Sequence, residues 1–278
     1  MSVSDLAAYH KLITDSYDQR STNYNDSLPH REQAQQLVDY YPPPTAGRVL
    51  DVGTGTGAAA FHAAGYVGET GDVLGVDIST GMISQATALL QDSGLSHVRF
   101  VQADGERLQH PEAYFDRIYC ASAFFWMTDK QQTLNHWYRL LKPGGGVGFH
   151  AWPETSYVFG YVARQALKTQ GVEYLAHSPY GSVEIVTGLL SSAGYEDIDI
   201  KVIESGHYLS LQEAIDAWID ETDYPIGQYP HPVAVTPSDI LEQARQDYIQ
   251  EMERRNTAKG VWNDTTQYYV YAKKPHGC

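Results

Sequence analysis

The chain of 278 residues is 42% hydrophobic and 19% charged, ordinary figures for a folded soluble protein, and it is long enough to bury a sizeable core without disulfides or metals. Its 34 acids outnumber 19 lysines and arginines, and the resulting net charge of −15 repels phosphate backbones, so nucleic acid is not an expected partner. Two cysteines, Cys120 and Cys278, exclude a disulfide framework and a cysteine-built zinc site, and they fit a reducing compartment, the cytoplasm. The start, Met1-Ser2-Val3-Ser4-Asp5, has neither the basic nor the apolar region of a signal peptide. No apolar run approaches the roughly 18 residues of a membrane span.

Along the chain, residues 1–41 read as helical, with Leu12, Ile13 and Tyr17 on one apolar face and Leu37, Val38 and Tyr41 on another. Pro42-Pro43-Pro44 ends that stretch. Arg48–Val52 reads as a short buried strand, followed by the loop Gly53-Thr54-Gly55-Thr56-Gly57 and a helix from Ala58 to Ala64. Further strands are expected at Asp72–Asp77, His97–Val101, Phe115–Ala121 and Gly146–Trp152. Helices lie between them, one starting near Ser79 and one over Asp129–Leu141, stopped by Lys142-Pro143-Gly144-Gly145. This alternation predicts an α/β fold: a mostly parallel, Rossmann-like sheet with helices on both faces. Beyond Trp152, helices around 156–170 and 182–193 precede strands at Ile198–Ile203 and Thr266–Ala272. The expected organisation is one domain: an N-terminal helical lid (1–44), a ligand-binding core (45–155), the rest of the core (156–203 and 261–278), and a mostly helical cap inserted at 204–260.

The glycine loop lets backbone N–H groups approach a ligand closely, yet by itself it also satisfies a dinucleotide fingerprint, with Asp77 as the ribose-binding acid. Three acids at successive strand ends narrow the choice. Asp51 suits an ammonium group better than a pyrophosphate. Asp77 can accept from both ribose hydroxyls, and Asp104 from an adenine amino group. Together they describe a cationic, adenosine-containing ligand in the crevice beyond the carboxyl edge of the sheet. The alternative, that each acid merely caps the following helix or turn, suits one of them better than all three.

At these residues the sequence resembles a known family. Val49-Leu50-Asp51-Val52-Gly53-Thr54-Gly55-Thr56-Gly57 is similar to the first motif of class I S-adenosylmethionine-dependent methyltransferases. Asp77-Ile78-Ser79 with Met82 resembles the acidic motif after the second strand, and Ala103-Asp104-Gly105-Glu106 the adenine-contacting loop. Phe115-Asp116-Arg117-Ile118 resembles the fourth strand, and Leu140-Leu141-Lys142-Pro143-Gly144-Gly145 the turn before the fifth. The match is nearest to small-molecule enzymes related to ubiquinone and menaquinone biosynthesis. The resemblance implies seven strands with the last antiparallel, S-adenosylmethionine as cofactor and S-adenosylhomocysteine as product. It implies that Asp51 with Gly53, Thr54, Gly55 and Gly57 holds the methionine part, Asp77 the ribose and Asp104 the adenine. Ile78, Met82 and Gly105 would pack around the adenosine, and Ala121 would complete the cofactor site. Tyr17-Asp18-Gln19-Arg20-Ser21-Thr22-Asn23-Tyr24 resembles a lid whose tyrosines, Tyr17 and Tyr24, close over the cofactor.

Proton acceptors are sparse. His150, in the fifth strand, and His207, at the base of the cap, are the candidates, although a satisfied sheet histidine and a loop histidine are the plainer descriptions. Relatives carry a histidine where Phe125 stands in Ser122-Ala123-Phe124-Phe125-Trp126. The histidines lack H-x-x-x-H spacing, so no metal is expected. Phe124, Phe125, Trp126, Trp152 and Tyr224 are candidates for holding a small-molecule acceptor by their ring faces. Between Glu204 and Glu253, eleven acids face a single basic residue, Arg245. That excess steers a cationic substrate or simply forms a solvated face, and the helical spacing of Glu213, Asp216 and Asp220 favours the second. The expected reaction is methyl transfer to a small molecule, an amine being mildly favoured. Oxygen or carbon transfer and a nicotinamide-dependent oxidoreductase are the alternatives. The expectation leaves the oligomeric state open.

Overall fold

In the computed structural model, which describes residues 2–24, 28–175, 182–219 and 228–277, two helices precede the first strand: α1 (Val3–Arg20) and α2 (Leu28–Tyr40). The three prolines stop α2 as expected. β1 (Arg48–Val52) is buried along all but its first residue, so its apolar run is continuous, as in a strand covered on both faces. There follow α3 (Ala58–Val67), β2 (Asp72–Asp77), α4 (Thr80–Ser93), β3 (Val98–Gln102) and β4 (Phe115–Cys120). A 3-10 turn at Phe124–Trp126 leads to α5 (Lys130–Leu140) and β5 (Leu141–Ala151). Side chains start two of these helices: Ser79 accepts from the Met82 N–H and Asp129 from the Gln132 N–H.

The chain continues as α6 (Val158–Thr169), α7 (Val183–Ser192), β6 (Glu196–Ile203), β7 (Gly206–Leu209), α8 (Leu211–Asp216), α9 (Pro232–Val235), α10 (Ser238–Arg255), β8 (Val261–Asp264) and β9 (Gln267–Lys273). Seven strands form one sheet in the order β3-β2-β1-β4-β5-β9-β6. β2, β1, β4 and β5 run parallel to their neighbours on this side, and one strand of the seven is antiparallel. That strand is β9. Lys274, just past its end, exchanges backbone hydrogen bonds with Gly144 and Gly145 near the start of β5.

The structure changes two sequence expectations. Lys142-Pro143-Gly144-Gly145 is not a free turn before a strand at Gly146. It lies inside β5, where the pairing jumps from Phe115↔Leu141 to Arg117↔Gly146 and so absorbs the extra residues as a bulge. The segment 204–260 is not simply helical. It opens with β7, which pairs antiparallel with β8 in a separate two-stranded sheet. The four residues of β7, Gly-His-Tyr-Leu, are too few to announce a strand by alternation.

Tertiary contacts divide the chain into two compact units. One comprises His10–Ala151, Glu184–Lys201 and Tyr269–Cys278, the other Met1–Tyr9, Trp152–Val183 and Val202–Tyr268. In the second, α6, α8 and α10 bury Val162, Leu167, Ala214, Tyr248 and Met252 around a common core. Leu211, Ile215 and Trp218 pack on that core, while Glu213 and Asp216 point to solvent; Asp220 lies outside the described residues. In the first, α5 lays Leu134, Trp137 and Leu140 inward. Trp137 is fully buried against Phe124, and its indole N–H donates to the Gly105 carbonyl at 2.9 Å, which fixes the loop after β3. Trp137→Phe keeps most of the packing and orphans that carbonyl. A loss of about 1–3 kcal/mol in urea unfolding, with the slope unchanged, is the expected outcome; an unshifted midpoint contradicts it.

Candidate cofactor site

Asp51 is the last residue but one of β1 and is 1% exposed. Its Oδ2 accepts from the Thr54 hydroxyl at 2.7 Å and the Ala60 N–H at 3.1 Å. Its Oδ1 is buried with no hydrogen-bond partner. Burial raises the carboxyl to about 7, against the opposing effect of the Thr54 and Ala60 hydrogen bonds. A half-satisfied buried carboxylate is costly without a positive partner, so the donor set fits a ligand that brings one.

The loop after Asp51 needs its glycines. Gly53 has φ 64°, and a Cβ there would lie 2.4 Å from the Ala123 Cβ. Gly57 starts α3 at φ 93°, and a Cβ there would lie 2.7 Å from the Phe100 ring. Thr54 N–H donates to the Val76 carbonyl and Gly57 N–H to the Thr54 carbonyl. Gly55 N–H donates to Asp77 Oδ2 at 2.9 Å, which ties the β1 and β2 loops together. Asp77 also accepts from the Ser79 N–H at 2.9 Å, and burial raises its carboxyl. The Ile78 N–H is a third backbone donor to this carboxylate.

Of the predicted residues, Tyr24, Gly53, Thr54, Gly55 and Ala121 line one cavity with Asp51, whereas Tyr17, Gly57, Asp77, Ile78, Met82, Asp104 and Gly105 are not part of its lining. Ile78 is partly exposed, and its carbonyl accepts from Gln102. Met82 is wholly buried in the first turn of α4. Asp104 is partly buried and accepts from the Glu106 N–H at 2.9 Å. Gly105 packs so closely on Val52 that a Cβ would lie 2.2 Å from it. Tyr24 stands near Gly55, 3.6 Å from where a Cβ would be. Tyr17 accepts from the Trp126 indole N–H at 3.0 Å, and Arg20 lies over the rings of both tyrosines, at 5.2 and 5.9 Å. A cavity of about 620 Å³ opens here, bounded by Tyr24, Asp51, Gly53, Thr54, Gly55 and Ala121, with His30, Arg31 and Ser122 also on its wall.

The catalytic and acceptor candidates are placed less favourably. His150 is 0% exposed, hydrogen-bonded through Nδ1 to Ser122 Oγ at 3.0 Å and packed on Tyr269. Burial lowers it to about 3, so it is a neutral and weak proton acceptor at physiological pH. His207 lies exposed on β7, opposite Asn263 in the other unit. Phe124 is core, in contact with Phe149 and Trp137, whereas Phe125 and Trp126 remain partly exposed. Trp152 belongs to the other unit, where it hydrogen-bonds Tyr157. Tyr224 lies outside the described residues. No group of three residues able to hold a metal occurs among the described residues.

Three residues with visible work were not singled out by their sequence context. Asp18 accepts from the Ser79 hydroxyl at 2.5 Å and the Gly81 N–H at 2.8 Å, so α1 is fastened to the start of α4. Lys130 buries its amine against the Phe125 and Met127 carbonyls, and burial lowers it to about 7. Glu106 accepts from both the N–H and the hydroxyl of Thr128. Only Asp18 carried a signal, its place beside Tyr17 in the lid segment.

Asp51 has a measurable consequence. Its carboxyl ionises near 4 in the unfolded chain and near 7 in the fold, so the native state holds the extra proton between those values. Its contribution to stability is therefore greatest below pH 4 and is lost as pH rises toward 7. Asp51→Asn removes this dependence. The variant is expected to gain stability relative to the parent between pH 4.5 and 7.5, on the order of 2–4 kcal/mol in urea unfolding. A difference that stays constant across that range contradicts the assignment.

Comparison with known proteins shows the family. A family model described as Methyltransferase domain matches residues 49–145. Aklanonic acid methyltransferase DauC of Streptomyces sp. (strain C5) is 34% identical over 146 residues, 51% of this chain and 66% of DauC, just under two thirds of its length. The ubiquinone/menaquinone biosynthesis C-methyltransferase UbiE of Yersinia pestis (strain Pestoides F) is 30% identical over 182 residues, 57% of this chain and 70% of UbiE. Phosphoethanolamine N-methyltransferase 2 of Haemonchus contortus, solved with phosphomonomethylethanolamine and S-adenosylhomocysteine, superposes with a TM-score of 0.53 at 20% identity, over 86% of this chain and 52% of that one. The cofactor is S-adenosylmethionine, whose charged ammonium suits the buried carboxylate of Asp51. The chain belongs to the class I S-adenosylmethionine-dependent methyltransferases.

Proposed function

We propose that this protein transfers the methyl group of S-adenosylmethionine to a small-molecule acceptor, with an amine nitrogen as the favoured nucleophile. The observation that carries the reading is the buried, half-satisfied carboxylate of Asp51 on the wall of the cavity beside the glycine loop. In this reading Asp51 meets the cofactor's ammonium, Asp77 the ribose hydroxyls and Asp104 the adenine. Ile78, Met82 and Gly105 shape the adenosine side. Tyr17 and Tyr24 form a cover, and Phe125 and Trp126 belong to the acceptor side.

When bound, S-adenosylmethionine supplies a sulfonium methyl group with a neutral thioether as leaving group. The protein's task is then orientation, which can supply ~7–11 kcal/mol of the barrier. A neutral amine attacks the methyl carbon with its lone pair and loses its proton afterwards to water, so it needs no base in the transition state. The weakly basic His150 and the phenylalanine at position 125 agree with such an acceptor. A second reading has support of its own: UbiE is by name a C-methyltransferase. A carbon acid or phenol must lose a proton as it reacts, for which a base contributes about 10²–10⁴-fold. No described helix is long and apolar enough to cross a membrane. The buried, unpaired thiol of Cys120 supports a reducing compartment, the cytoplasm in this reading.

Thermal stabilisation by S-adenosylhomocysteine and none by NAD(H) is the first expected result. Methyl-labelled cofactor incubated with panels of amines, phenols and quinones then separates the readings, label in the amine panel alone being expected. Affinity for S-adenosylhomocysteine should rise as pH passes upward through about 7, where Asp51 loses its proton, and Asp51→Asn should flatten that rise. Tyr24→Ala should weaken binding about fivefold, the loss of one ring contact; unchanged calorimetric affinity would remove Tyr24 from the cover.

A further inference from the structure

Four aromatic rings gather where the end of α1 meets the turn after β4. The Tyr17 and Tyr24 rings lie 6.2 Å apart and are inclined at 57°. Trp126 meets Tyr17 edge-on at 5.9 Å, and Phe125 lies 4.8 Å from Trp126. The Trp126 indole N–H donates to the Tyr17 hydroxyl, which holds that ring in place. His30 stacks on Tyr24 at 5.9 Å, with 17° between the planes, and holds the second ring. Tyr24 also lines the cavity that carries Asp51, so the cluster borders that cavity.

The two tyrosines already hold a cation. The Arg20 guanidinium lies 5.2 Å from the centre of the Tyr17 ring and 5.9 Å from that of Tyr24. Both distances fall within the ~6 Å over which a ring face attracts a positive charge. Helical spacing brings Arg20 beside Tyr17, three residues before it on α1. Tyr24 lies beyond the end of that helix, so its approach to the same guanidinium is set by the fold. Arg20 is exposed and at the end of its helix, on a long side chain that can swing out to water. Burial raises the Tyr24 hydroxyl, Arg20 lowers it and Asp77 raises it again, so an acid remains close to this ring when the arginine leaves.

We propose that the angle between Tyr17 and Tyr24, with Trp126 beside it, is a subsite for a methylated ammonium group of the acceptor, and that Arg20 fills it until the acceptor displaces it. The proposal rests on the amine reading of the reaction. Methylated ammonium groups bind ring faces for the reason a guanidinium does: their charge is diffuse and weakly hydrated. The favoured acceptors are amines that already carry a methylated, positively charged nitrogen beside the one that reacts. Arg20 sets a threshold for entry. A neutral phenol or quinone gains no charge contact by displacing it, whereas a cation replaces one ring contact by another.

Tetramethylammonium is the probe, and neopentyl alcohol, uncharged and of nearly the same shape, is its control. Each is titrated into the full chain by ligand-observed NMR, with ionic strength held constant by sodium chloride. The parent should bind tetramethylammonium in preference to the alcohol, with and without saturating S-adenosylhomocysteine. Arg20→Gln should tighten tetramethylammonium binding about fivefold by removing the internal competitor, and Arg20→Lys should tighten it less. Tyr17→Leu should weaken it about threefold by removing one ring face. Thermal stabilisation by S-adenosylhomocysteine checks that the Arg20 variants are folded. Unchanged or weaker tetramethylammonium binding in Arg20→Gln overturns the proposal and leaves Arg20 as a brace for the end of α1. Equal binding of the alcohol overturns it, as does loss of the probe when S-adenosylhomocysteine is added, which puts the rings inside the cofactor's own site. Absence of binding in both the parent and Arg20→Gln overturns it too. Methyl label found only in phenols or quinones would instead remove the amine reading while the cation-binding result stands by itself.

Discussion

The carboxylate of Asp51 is the constraint around which the rest of this site is arranged. An interior strand of the sheet carries, one residue before its end, an acid that water does not reach, and only one of its two oxygens is satisfied by the protein. The oxygen that is satisfied organises the turn. Thr54 and Ala60 reach it from either end of the glycine loop, so the loop curls about the carboxylate and delivers the chain into α3. The turn is then tied to β2 through Gly55 and Asp77, and Asp77 in turn receives the Ser79 N–H at the start of α4. A single charge thus sets the conformation of two loops. The oxygen left over has no donor from the protein.

Much of the fold was legible because the parallel strands are buried along their length and write continuous apolar runs, such as Arg48–Val52 and Asp72–Asp77, between helices with ordinary caps. The seven-stranded sheet and its antiparallel strand followed from the resemblance rather than from periodicity. What escaped were features without a local signature. The bulge in β5 uses Pro143 and two glycines, residues that ordinarily announce a turn, because the pairing with β4 skips over them. β7 is only four residues long, and its strand character comes from its partner β8. Three acids were visible as strand-end residues, and of these the structure places Asp51 on the cavity wall. Asp18 could not be seen that way. Its role depends on where α1 lies in space, which a helical pattern does not specify.

The net charge of −15 divides into two kinds of acid. Glu213, Asp216, Asp239, Glu242 and Glu253 are exposed on the helices of the second unit, where their carboxylates are hydrated and interact weakly. Asp51 and Asp77 are withdrawn from water, and burial raises both. Counting charges therefore says little about the ligand; the degree of hydration of each carboxylate says more. The tyrosines divide similarly. Tyr119, Tyr248 and Tyr269 are buried core residues, whereas Tyr17 and Tyr24 gather near Arg20.

The place of β9 in the sheet has a consequence for how the chain is assembled. β6 is an edge strand, and its one neighbour in the sheet is β9, which also fills the position beside β5. During synthesis β1 to β5 can pair as they emerge, since each finds a partner made before it. β6 cannot join them, because the strand that bridges it to β5 lies more than sixty residues further along. Until residue 273 has left the ribosome, β5 presents an unpaired edge and β6 has nowhere to dock. The bridging of that gap is a non-local step, slow by its topology, and it makes the last strand the one that seals the sheet against edge-to-edge association.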